Sequence, residues 1–260
     1  MSATGGTDMT RGWDELDAEL AHWTTEGLRL PLWWRDDDAI APTEALVQLG
    51  ALATRLDLPV HLAVIPETAQ EELAQAVAQS SHLIPVVHGW AHKNHASADK
   101  KKCEFPSTRP VDEALNAAEQ GMDRLKHLFG PALQPMFVPP WNRISPAMLP
   151  WLAGLSFAAV STYGPRKRVQ AAPGLVQINT HIDPIDWKHG RGLVPEDHLL
   201  SRLVDTLIAR RTGQQDSAEP LGLLTHHLVH SDEVWEFCET LLRRLLDGPA
   251  HPWRFNERIG

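Results

Sequence analysis

Short apolar runs alternate with longer stretches of helical period along most of this chain. The runs at 30–34, 59–65, 83–88, 135–138, 157–161, 175–179 and 221–225 have strand length and are bounded by turn-forming residues. Between them the spacing predicts helices. Leu16, Leu20 and Trp23 share one face of a helix over 13–26, and Leu46, Leu49, Leu52 and Leu56 one face of a helix over 43–56. Further helices are expected over 68–79, over 111–129 with Gly130 and Pro131 as the stop, and over 145–152. Leu199, Leu203, Leu207 and Leu200, Val204, Ile208 mark a helix over 196–210, and Ser231 reads as the N-cap of one reaching about residue 246.

Strands that alternate with helices imply parallel pairing and right-handed crossovers. Seven of them predict an α/β fold closed into a distorted (β/α)7 barrel, with an open doubly wound sheet as the alternative. No repeat or low-complexity linker divides the chain, so one domain over 1–260 is expected, with residues 1–11 as a loose tail.

Composition changes this picture little. Apolar residues make up 43%, enough for a large core, and the net charge of −9 disfavours nucleic acid and anionic membrane surfaces as partners. The Lys100-Lys101-Lys102 run reads as part of a solvated loop, or as a lid. Cys103 and Cys238 stand too far apart for a metal-type spacing, which suits a reducing compartment. Neither a signal peptide nor a membrane span is visible, and a soluble cytoplasmic protein is the expectation.

In a parallel barrel, chemistry gathers at the C-terminal strand ends. Arg35-Asp36-Asp37-Asp38 follows the first predicted strand, and His88, His92 and His95 follow the third. Pro140-Trp141-Asn142-Arg143 follows the fourth, while His181, Asp183, Asp186 and Trp187 follow the sixth, and His226-His227 the seventh. The His-x-x-x-His spacing alone is weak, because 14 histidines produce about one such pair by chance, and His226 and His230 repeat it. Three adjacent aspartates repel one another, a cost that a cation relieves; their plain reading is a solvated cluster before the helix at Thr43. Taken together with the histidines of a neighbouring strand end, they point to a metal centre. Carboxylate and imidazole ligands suit zinc or a related divalent ion such as cobalt, nickel or iron, and hydrolysis then requires a base and an acid.

The order of these motifs resembles the polysaccharide deacetylases (carbohydrate esterase family four) over about residues 30–240. The resemblance implies a metal-dependent hydrolase that removes an acetyl or other acyl group from an amide nitrogen, on an N-acetylated sugar or saccharide. Aligning Ala39 with the glycine of the family's Asp-Asp-Gly turn makes Asp37 the base and Asp38 a metal ligand; a one-residue shift would promote Asp36 and Asp37. His88 and His92 take the other ligand positions, with Gly89 where the family has a hydroxyl residue. Val138 stands where an arginine is expected, leaving Arg143 or Arg35 to supply the charge. Asp183-Pro-Ile-Asp186-Trp187 resembles the fourth motif, one strand late, and His226, or else His227, takes the place of the general acid. Backbone N–H groups around Trp141 would stabilise the oxyanion. Trp141, Arg143, Asp183 and Trp187 are the candidate substrate contacts, and of Trp33 and Trp34 one should face the core and one the helices. His61 reads as structural, His95 as a loop residue or else a spare ligand, and His181 as a satisfied buried residue or one that lines the pocket. Two rivals remain: hydrolysis of a non-sugar amide or imide on the same barrel, and a saccharide-binding homologue without catalysis.

Overall fold

The structure, a computed structural model, describes residues 10–255. The tail expected over 1–11 falls outside them, except that residues 10 and 11 open the first helix. In chain order the helices are α1 (Thr10–Thr25), α2 (Glu44–Leu56), α3 (Glu71–Ala78), α4 (Val111–Phe129), α5 (Leu149–Leu152), α6 (Glu196–Arg211) and α7 (Asp232–Asp247). The strands are β1 (Leu30–Ala39), β2 (Val60–Val64), β3 (Leu83–His88), β4 (Met136–Val138), β5 (Ala159–Val160), β6 (Gln170–Ala172), β7 (Leu175–Gln177), β8 (Leu221–Thr225) and β9 (Ala250–Pro252). The residues group into two compact units: 31–183 with 219–228 and 252–255, and 10–30 with 184–218 and 229–251.

The first unit holds a parallel sheet in the order β7-β5-β4-β3-β2-β1-β8, with β6 added antiparallel to β7. Beyond β7 the chain bridges Thr180 to Tyr163 and Ile182 to Leu223, both in parallel. His181 N–H donates to Gly222 O at 2.7 Å, and Leu224 N–H to Ile182 O at 2.7 Å. These bonds join the β7 side to β8, so the seven parallel members form a closed ring, the expected distorted barrel. Its interior is filled by Trp33, Ala63, Val86, Met136, Val138, Ala159, Val176, Ile178 and Phe255. Gly222 lets the wall close, because a Cβ there would stand 2.4 Å from Trp33 Nε1 and 2.8 Å from Asn179 O. Trp33 and Trp34 divide as expected: Trp33 fills the interior, whereas Trp34, on the other face, donates to Thr225 Oγ1 at 2.8 Å.

His61 on β2 is structural. Its Nδ1–H donates to Trp34 O at 3.2 Å, and its Nε2 accepts from Phe255 N–H at 3.1 Å, which fixes a neutral tautomer. Burial pushes its pKa down to about 4, against the Trp34 hydrogen bond and with help from the Arg254 charge. The unfolded chain holds this proton from about pH 6.5 and the folded chain only near pH 4, so the neutral form stabilises the fold above pH 6.5. That contribution, about 3 kcal/mol, is expected to fade as pH falls from 6.5 to 4. Urea unfolding of wild type and His61→Gln at pH 7 and pH 5 should show a smaller pH dependence in the variant, whatever its baseline loss.

In the second unit, α1 packs on α6, with Leu200 against Gly12. Arg211 donates to Glu19 at 2.7 and 3.0 Å and to Glu26 at 2.8 Å. The apolar face of α6 is narrower than its sequence suggests: Leu199, Leu200, Leu203 and Leu207 are buried, but Ile208 is exposed. Ser231 does precede α7, though its side chain makes no capping bond. No helix of the described residues is long and apolar enough to cross a membrane.

Candidate active site

The polar end of β1 is strand, not loop. Side chains alternate along it, so Arg35 and Asp37 share the inner face with Trp33, while Trp34 and Asp36 share the other. Pairing with β2 slips between Asp36 and Ala39, where three residues on β1 face two on β2, and Asp38 takes φ 73°. This bulge re-aims Asp38, a common device beside active sites.

Asp38 Oδ1 lies 3.1 Å from His88 Nε2 and 3.3 Å from His92 Nε2, and the three donor atoms all fall within 4.8 Å of one another. His88 ends β3, and its Nδ1–H donates to Val138 O at 3.0 Å, leaving Nε2 to face the carboxylate. The turn to His92 requires glycine. Gly89 has φ 58°, and a Cβ there would sit 2.2 Å from Glu104 Oε2 and 2.6 Å from Pro140 Cδ. Glu104 occupies that space in order to accept from Trp90 N–H at 3.2 Å and Ala91 N–H at 2.8 Å. His92, at φ 53°, lies against Trp141 with ring centroids 4.3 Å apart. Among the described residues, four of the seven non-glycine residues with positive φ (Asp38, His92, Trp141 and Asn142) belong to this region, which places backbone strain at the site.

Burial alone would raise the Asp38 carboxyl, but the His88 hydrogen bond and the charges of His88, His226 and His92 hold it well below the usual range. His88 is raised, because Asp37 and Asp38 outweigh the burial that opposes its charged form; His92 is lowered, burial prevailing over Asp38. The pair thus favours a charged Asp38 facing a His88 whose protonated form is stabilised. A divalent cation fits the same place: two imidazole nitrogens and one carboxylate oxygen already converge, and one imidazole has its tautomer set from behind.

Arg35, with no exposed surface, organises the base candidate. Its Nε and Nη2 donate to Asp37 Oδ1 and Oδ2 at 2.8 and 2.9 Å, Nη2 also to Asn142 Oδ1 at 2.7 Å, and Nη1 to Ser161 Oγ at 2.7 Å. Of the two arginines, Arg35 is the one that pairs with Asp37, while Val138 fills the barrel interior. Arg143 donates instead to Lys102 O at 2.9 Å.

Asp36 belongs to a different network. It accepts from Thr225 Oγ1 at 2.6 Å, from His227 N–H at 3.0 Å and from His227 Nδ1 at 2.5 Å. His227 is fully buried, and Asp36 raises its pKa against burial. His226, held between these two anchored neighbours, keeps a 9% exposed surface and lies near enough to Asp38 to lower that carboxyl. Asp186 accepts from Lys188 and His189 N–H and pairs with His189 at 2.8 Å, a local turn. Asp183 closes the segment after Ile182, and Trp187 is 45% exposed in the second unit. Asn142, Ser161 and Glu104 are participants not assigned from the sequence, where Arg35 entered only as an alternative to Arg143. For Arg35 the usable signal was its i, i+2 relation to Asp37 on a strand.

No family model matches the chain, and no curated protein sequence matches it. Solved structures do. A family 4 carbohydrate esterase from Streptomyces lividans, in complex with acetate, superposes at TM-score 0.55 with 11% identity, over 89% of this chain and 95% of that one. A protein assigned as a polysaccharide deacetylase from Mycobacterium smegmatis gives TM-score 0.58 and 16% identity over 90% and 82%. A mutant of a carbohydrate esterase family 4 pseudoenzyme with restored activity gives 0.56 and 15% over 86% and 65%. Strand order, barrel closure and these superpositions agree: the chain has the fold of the carbohydrate esterase family 4 polysaccharide deacetylases.

Proposed function

We propose that this protein is a divalent-metal-dependent hydrolase that removes an acetyl or other acyl group from an amide nitrogen of an N-acylated sugar. The observation that carries the reading is the convergence of Asp38, His88 and His92 beside an arginine-bound Asp37 at the C-terminal strand ends. Asp38, His88 and His92 would hold the ion, with zinc first in line and cobalt, nickel or iron as alternatives. Such an ion, when bound, polarises the acyl carbonyl and brings the pKa of water to about 7.

Asp37 takes the proton of the attacking water. Arg35 grips both of its oxygens from one side, which fixes the plane of the carboxylate and leaves a lone pair on each oxygen for that proton. His226 delivers a proton to the departing nitrogen; its exposed edge gives it access that the enclosed, Asp36-bound His227 lacks. The Trp141 backbone N–H serves the developing oxyanion, a role typically worth about 3 kcal/mol. Trp141, Arg143 and Asp183, which lie in the same unit as Asp38, are the proposed substrate contacts. The loss of arginine at Val138 does not argue for a decayed site, because Arg35 provides a guanidinium to the same carboxylate.

His226→Ala is expected to keep the fold and the metal while acetate release from N-acetylated sugars falls by about two to four orders of magnitude. Full activity in that variant would remove His226 from the acid role.

A further inference from the structure

One wall of the site carries Lys102 and Arg143, and no carboxylate among the described residues pairs with either. Lys102 Nζ stands 5.9 Å from the centroid of the Trp141 ring, whose other neighbour is His92. Arg143 is tied to the same segment, its Nη1 donating to the backbone O of Lys102 at 2.9 Å. The scaffold beneath is tied: Cys103 Sγ–H donates to Arg143 O at 3.3 Å, Ser145 N–H to Phe105 O at 2.8 Å, and Phe105 bridges Ile144 in parallel. Segment 93–109 carries Lys93, Lys100, Lys101, Lys102 and Arg109 against only Asp99 and Glu104. Asp99 pairs with Lys100 at 3.5 Å, and Glu104 is turned inward to Trp90 and Ala91. Among the described residues neither Lys102 nor Arg143 forms an ion pair, and Arg143 Nε and Nη2 meet no protein acceptor.

In a chain of net charge −9, Lys102 and Arg143 set two cations beside the site with no carboxylate paired to either among the described residues. Their mutual repulsion, and that of any divalent ion at Asp38, is relieved by an anion held beside Trp141. The geometry points to a phosphate-binding subsite formed by Lys102 and Arg143, so that the substrate is an N-acylated amino sugar bearing a phosphate or diphosphate ester. This rests on the reading of the site as a deacylase. Arg143 Nε and Nη2 form one edge of the guanidinium, a fork suited to two phosphate oxygens, and the Lys102 ammonium adds a point charge. The Trp141 face between them and His92 packs the sugar ring, which leaves the acyl group toward Asp38.

Calorimetric binding separates this from the catalytic reading, since it needs no turnover. The probes are N-acetylglucosamine, its 1-phosphate, its uridine diphosphate conjugate and the carboxylate-bearing N-acetylmuramic acid, against metal-loaded wild type and Lys102→Gln/Arg143→Gln. At least one phosphorylated sugar is expected to bind wild type more than tenfold tighter than the neutral sugar, with a strong salt dependence. The double variant should lose that preference while keeping its melting temperature and metal content. Equal affinity for neutral and phosphorylated sugars would overturn the inference. A preference that survives in the double variant would do so too, placing the phosphate elsewhere. Equal affinity for N-acetylmuramic acid would overturn the assignment to phosphate. If binding follows the expectation but no acyl sugar is hydrolysed, the deacylase reading fails while the subsite stands.

Discussion

Replacing His88 and His92 together by alanine is expected to abolish stoichiometric metal binding. Wild type should carry about one divalent ion per chain by mass spectrometry after dialysis, and the double variant almost none. The expectation follows from the donor set: with both imidazoles gone, Asp38 offers a lone carboxylate. Each single variant should weaken binding by more than the tenfold to hundredfold usual for residues behind the ligands. Affinity should also fall as pH falls, because an ion must displace the proton of His88, whose pKa Asp37 and Asp38 raise against burial. A melting curve guards against misfolding, a concern mainly for His88, which is buried; His92 is partly exposed. Wild type that takes up no zinc, cobalt, nickel or iron even after reloading would remove the hydrolase mechanism and leave a binding barrel.

The barrel was legible wherever a strand is a continuous apolar run. The spans 83–88 and 221–225 match β3 and β8, and 59–65 brackets β2, because β2 and β8 are buried along their whole length and β3 everywhere but at Ile84. Strand β1 was cut short at Trp34, since Arg35 to Asp38 reads as loop. The ladder continues there because the charges are satisfied inside: Arg35 with Asp37, and Asp36 with Thr225 and His227. That early stop hid the alternation that pairs Arg35 with Asp37 and separates Asp36 from both. The three-residue strands β6 and β9 are too short to leave a period. At the site, positions at strand ends brought the three aspartates and the histidines forward together, but only the family resemblance singled out Asp38 with His88 and His92 among them. The partners of Asp36 lie 189 and 191 residues away and could only be found by folding the chain.

Arg35→Met should be the most destabilising single substitution at the site, by about 3–5 kcal/mol. Arg35 is fully buried and serves both Asp37 oxygens, Asn142 and Ser161. Its removal strands a carboxylate that is only 3% exposed. The loss comes from the unpaired charge more than from the missing bonds, which the companion variant tests. Arg35→Met/Asp37→Leu removes both charges and should recover most of the stability, as buried pairs replaced by apolar groups commonly do. Arg35→Lys keeps the charge but not the fork, and should fall between wild type and Arg35→Met. The solvent-exposed Arg243–Glu239 pair at 2.6 Å supplies the control: Arg243→Ala should cost no more than about 0.5 kcal/mol. Denaturant midpoints for the four variants order these effects directly. Should Arg35→Met prove as mild as Arg243→Ala, Asp37 would not carry a buried charge in the folded protein. It could then serve neither as the partner of Arg35 nor as the base that takes the water's proton.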